Sequence, residues 1–80
     1  MNAAQRRSTE RLIARRFPVG TFLSHTKHPE AMVYRVIDYL GTNVVVKRVA
    51  RDYSPKAYSA ASLHPATEAQ LAAAMAEALE

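Results

Sequence analysis

Residues 31–49 read AMVYRVIDYLGTNVVVKRV, and this stretch decides the fold. It holds most of the β-branched residues, two of the four tyrosines and one of the two glycines. β-Branched and aromatic residues favour strands. Leu40-Gly41-Thr42-Asn43 supplies the break between two runs of them. The stretch therefore predicts a hairpin, with one strand over 32–40 and a second from Asn43 to about Arg51. On the first strand, Met32, Tyr34, Val36 and Leu40 fall on one side and Val33, Ile37 and Tyr39 on the other. A strand apolar on both faces is covered on both, or belongs to a barrel or curled sheet.

Working outward, Val19 to Ser24 predicts a short strand before the hairpin. The polar, Pro-containing segment from His25 to Glu30 predicts a loop. After the hairpin, Asp52-Tyr53-Ser54-Pro55 reads as a turn, and Lys56 to Leu63 as a short fourth strand. Both ends predict helices. Asn2 is a good N-cap, and Gln5 can return its hydrogen bond. From there to Arg16 there is no Gly or Pro, and Pro18 ends the helix by forcing Phe17 toward extended geometry. Thr9, Ile13 and Phe17, with Leu12 beside them, make its apolar side; Arg7, Arg11 and Arg15 lie opposite. Thr67 with Gln70 forms a second capping box, and Glu68 suits the positive end of that helix. Leu71, Met75 and Leu79 form a stripe at i, i+4, i+8 that predicts core packing, or a partner or dimer face. Gln70, Glu77 and Glu80 then face away. The fold class expected is α+β: a small antiparallel curled sheet or barrel of three to four strands, flanked by two helices. The 80 residues allow one domain, divided into an Arg-rich helix over 1–17, a β core over 18–63 and a helix over 65–80.

The segments Pro18-Val19-Gly20-Thr21 and Tyr34-Arg35-Val36-Ile37-Asp38-Tyr39, then Gly41, Val44-Val45-Val46 and Ser62-Leu63-His64-Pro65-Ala66, together resemble a small SH3-like barrel over residues 18–63. That resemblance rests on strand lengths. It implies a binding module for nucleic acid, peptides or protein surfaces. The chain has no tryptophan and no identifiable aromatic peptide groove, which speaks against proline-rich peptides.

Composition excludes most chemistry. There is no cysteine, hence no disulfide and no thiolate metal site; this fits a reducing compartment, and a cytoplasmic protein is expected. The longest strongly apolar run, Val44-Val45-Val46, is far below the roughly 18–20 residues of a membrane span, and no apolar block follows the N-terminal arginines as in a secretory signal. Two glycines make no phosphate cradle, and there is no nucleophile elbow. Glu30 and Asp38 have nothing to place them in one pocket as acid and base. His25, His28 and His64, with Glu30, are the only candidate metal ligands. His-x-x-His in a polar loop lacks the helical register of metal signatures, so surface histidines are the simpler reading. No enzyme, cofactor or metal is expected.

Charge is the remaining signal. Residues 1–16 carry a balance of +4, residues 17–63 of +3 and residues 64–80 of −3. Such asymmetry points to an electrostatic partner. Arg7, Arg11 and Arg15, spaced one turn apart, repel by a few tenths of a kcal/mol per pair, which favours a negative surface opposite them; solvated arginines covering apolar surface are the plain alternative. Arg6 and Arg16 flank them. Lys47, Arg48, Arg51 and Lys56 surround the end of the hairpin, with Tyr53 and Tyr58 among them as stacking candidates or cross-strand packing residues. The expectation is a small basic regulator contacting nucleic acid or nucleoprotein. The alternative is a protein-binding regulator or inhibitor, docking by a strand edge or the C-terminal helix on an acidic surface, similar in type to phage and mobile-element regulators. A homodimer through the C-terminal helix is the third expectation.

Overall fold

The computed structural model describes residues 2–28, 32–49 and 54–79. The order is α1 (Ala3–Arg16), β1 (Phe22–His25), β2 (Val33–Leu40), β3 (Asn43–Arg48), β4 (Lys56–Ser59), a 3-10 turn (Ala60–Ser62), β5 (Leu63–Pro65) and α2 (Glu68–Ala78). The protein is α+β, with one antiparallel sheet in the order β4-β3-β2-β1-β5. Both capping boxes form: Asn2 with Gln5 on α1, and Thr67 with Gln70 on α2.

The sheet has five strands, not three or four. The segment expected as one strand over 56–63 is divided by the turn at Ala60–Ser62, where Ala and Ser supply little β propensity. Its halves pair at opposite margins of the sheet, β4 on β3 and β5 on β1. A three-residue link between the two margins forces the sheet to curl. The turn is tied on both sides: Ala60 N–H donates to the Thr42 carbonyl, and Thr26 N–H donates to the Ser62 carbonyl.

Phe17, Leu23, Tyr34, Val36, Val44, Val46 and Leu63 form the core inside this curl. Phe17 comes from the end of α1, where its N–H still bonds the Ile13 carbonyl. Burying such a side chain contributes about 2–3 kcal/mol. Gly20, at φ +94°, makes the turn from α1 into β1, where Thr21 N–H donates to the Pro18 carbonyl. The side of α1 bearing Thr9, Ile13 and Phe17 faces the body, while Leu12, expected beside them, is 64% exposed.

Two phases differ from the sequence reading, each for a packing reason. A bulge lies in β2: Val36 pairs with Val46, but Asp38 pairs with Val45. The extra residue, Ile37, reverses the alternation beyond it. Tyr39 therefore joins the core side, opposite Val44 and bonding the Phe17 carbonyl, and Leu40 is exposed. The second difference is α2. Gln70, Ala74 and Glu77 face the sheet, so Gln70 and Glu77 do not point away. Gln70 Oε1 accepts from the buried Ser24 hydroxyl at 3.2 Å, Ala74 is fully buried, and Glu77 meets Arg48 at 3.2 Å. Met75 is 45% and Leu79 89% exposed. The small Ala74 lets the helix approach closely, and the buried Ser24 requires a polar partner.

This rotation of α2 is testable by urea unfolding. Ala74→Leu overpacks the contact and lowers stability by about 1–3 kcal/mol, whereas Met75→Ala stays within about 0.5 kcal/mol. Equal effects would place the stripe, not Ala74, against the sheet.

Candidate functional site

The basic residues fall into separate groups. On α1, Arg7, Arg11 and Arg15 are exposed and have no carboxylate partner among the described residues. Arg6 is turned aside to Glu10 at 3.5 Å, and the Arg16 guanidinium sits 4.9 Å over the Phe17 ring. Arg6 also lies beside the β2–β3 turn, its side chain 3.8 Å from where a Cβ on Gly41 would stand. The start of α1 is therefore at the turn end of the hairpin. Arg48 pairs with Tyr34 at the other end, about 23 Å away along the strand.

The hairpin-end group is itself divided. Lys47 projects on the opposite side from Val46 and Arg48, next to Arg35, its direct partner on β2. Arg35 is exposed and is a basic residue the sequence reading left out; only strand register brings it beside Lys47. Arg48 is half-buried and engaged by Glu77. Lys56 is exposed on β4, opposite Val46. Arg51 and Tyr53 lie outside the described residues, as does Glu30.

Tyr58 is a packing residue and more. It stands opposite Val44, against the core, in a cluster with Tyr34, His25 and His28. Its ring lies 5.5 Å from that of Tyr34, 5.0 Å from His25 and 5.1 Å from His28, all edge-on. His25 and His28 stack at 4.0 Å. This cluster spans the curl: His25 ends β1 and Tyr58 is on β4, near the opposite margin. Burial and the neighbouring Tyr58 push the Tyr34 hydroxyl up to about 12. Tyr34 thus keeps its proton, which it can donate to His28 Nδ1, 2.6 Å away. His25 Nδ1 accepts from the Lys27 N–H at 3.1 Å. Burial, then His28, Lys27 and His64, lower the His25 pKa. His64, on β5, pairs with Ser24 rather than joining the stack. No group of three His, Asp or Glu side chains among the described residues is arranged to hold a metal ion.

Beside this cluster is a cleft of about 290 Å³, lined by Met32, Tyr34, Val46, Arg48, Ser54, Lys56 and Tyr58. Periodicity alone puts Met32 and Tyr34 among packing residues. Their place in the cleft depends on β4 pairing with β3 in the curled sheet, a long-range event with no local signature. On α2, Leu71 is half-buried and continues into the exposed Met75 and Leu79. No described helix is long and apolar enough to cross a membrane. Compared with protein families, curated proteins and solved structures, the chain matches none of them.

The titrations carry signs. His25 has a folded pKa below its ordinary 6.5, so the stability it contributes is present above that value and is lost as pH falls below it. Tyr34 is pushed up to about 12 and Tyr39 is raised too, both mainly by burial, so their contribution is present below about 10 and lost at higher pH, for Tyr34 as pH rises toward about 12. Denaturation midpoints measured across pH should therefore fall on both flanks. His25→Gln should flatten the acid flank, and Tyr34→Phe most of the alkaline one.

Proposed function

We propose that this protein is a small non-enzymatic binding protein that grips a nucleic-acid backbone with the outer face of α1. The observation carrying this reading is the row of Arg7, Arg11 and Arg15, one turn apart, exposed and without acidic partners among the described residues. The opposite face of α1 is spent on the sheet, so the row is presented on a docked helix. Three guanidiniums along about 12 Å of helix suit successive phosphates, which they bind bidentately. The sheet order, with a 3-10 turn between β4 and β5, supports reading the scaffold as an SH3-like barrel, a class that serves binding more than catalysis. Arg35 with Lys47 offers a second backbone contact on the outer side of the hairpin.

The test is salt dependence. Affinity for nucleic acid should fall steeply with salt, and Arg7→Glu/Arg11→Glu/Arg15→Glu should lower the log–log slope by about 2–3, one phosphate per arginine. A slope unchanged by the triple variant, or no binding at low salt, sinks the reading.

One observation favours a second reading, a protein-binding regulator docking through α2. Met75 and Leu79 expose apolar surface that the sheet leaves uncovered, and an exposed apolar stripe on a helix is a common docking face. If α2 binds a partner or a second copy, Met75→Glu abolishes that association, seen by sedimentation or by capture after nuclease treatment. It leaves nucleic-acid affinity within twofold.

A further inference from the structure

We infer that the cleft between β2, β3 and β4 receives one unpaired base of a single-stranded nucleic acid, with the adjoining phosphate on Lys56. This rests on the nucleic-acid reading above and deepens it, since it assigns the single strand rather than the duplex as ligand. The lining is largely apolar and aromatic, from Met32, Val46, Tyr34 and Tyr58. The rim carries two cations, Arg48 and Lys56, and no acidic residue lines the cleft among the described residues.

The aromatic and cationic lining points to the ligand class. The Tyr34 hydroxyl meets His28 Nδ1 at 2.6 Å, and the Tyr58 ring stands edge-on to that of Tyr34 at 5.5 Å. The Tyr34 hydroxyl is thus engaged inside the cluster, and Tyr34 itself is only 3% exposed, so the half-buried Tyr58 ring is the aromatic surface the cleft offers. A peptide laid in a groove needs directed donors and acceptors for its backbone. A base needs a π surface and an apolar slot, with a cation for its phosphate. Arg48 is held at the rim by Glu77 at 3.2 Å, which fixes one side of the opening. Lys56 stands exposed on β4 on the other side, at the place where a flexible ammonium can follow a phosphate. A base still paired in a duplex cannot enter such a slot without being extruded from the stack. The cleft therefore discriminates strand from duplex, which the α1 arginines by themselves do not.

The experiment titrates the full chain with a single-stranded oligodeoxythymidylate of about ten residues and with a duplex of equal length. It follows anisotropy together with the NMR signals of the Met32 methyl and the Tyr58 ring. The expected result is that these signals shift with the strand and not the duplex. Lys56→Ala, at an exposed position, should weaken the strand about fivefold to tenfold and the duplex less than twofold. Equal binding of strand and duplex, with signals moving only on α1, overturns the cleft and leaves the α1 reading intact. Strand binding with the Met32 shift retained in Arg7→Glu/Arg11→Glu/Arg15→Glu keeps the cleft and overturns the α1 reading. Absence of binding to either probe overturns both, and a Met32 shift produced only by peptides overturns the cleft as a base site.

Discussion

The structure depends on one plug. Phe17 leaves α1 at its last turn and is buried at the centre of a curled sheet, among side chains from β1, β2, β3 and β5. A chain of this length has no disulfide and little core to spare. Closing the curl around an aromatic ring from outside the sheet is how it obtains enough apolar burial. The plug also orients the helix. With Phe17 inside and Ile13 packed against the core, the face opposite must point outward, and that face carries Arg7, Arg11 and Arg15. The placement of charge at the surface is thus a consequence of a hydrophobic contact.

The bulge in β2 serves the same centre. Without the extra residue at Ile37, Tyr39 would point away from the core and Leu40 toward it. With it, the Tyr39 hydroxyl reaches the Phe17 carbonyl, an acceptor at the helix end that would otherwise need another partner. The second layer works on different physics. The contact of α2 with the sheet uses Ser24 with Gln70, the small Ala74, and Glu77 with Arg48. A polar and close-packed contact leaves the larger apolar residues of α2 outside, where they are open to a partner. Glu77 also tempers the basic end of the hairpin, so the acidic tail of the sequence acts first within the molecule.

Local signals carried much of this architecture. The capping residues Asn2 and Thr67, the break at Pro18 and the turn at Gly41 each act over a few residues, and each helix start and the hairpin are legible from them. The opposition of arginines and apolar residues on α1 follows from helical period. What was not legible involves contacts between distant segments. The division of 56–63 depends on its two halves finding β3 and β1. The phase of β2 depends on a bulge that no residue type announces. The cleft depends on β4 pairing with β3 in the curled sheet. On α2, amphipathic periodicity pointed to the larger side chains, but fit to a buried serine and a close backbone decided the contact.

By itself the sequence determined the class, α+β with a central antiparallel hairpin between two capped helices, and an uneven charge with a basic front. These follow from backbone preference and from counting, which need no partner in space. Which cations stand together is settled by the closed fold. It joined Arg35 to Lys47, tied Arg48 to Glu77, and set Lys56 in the lining of a cleft shared with Tyr58. The physical reason is that charge acts through distance. Strand register and curl set those distances, and both are properties of the closed sheet rather than of any segment within it.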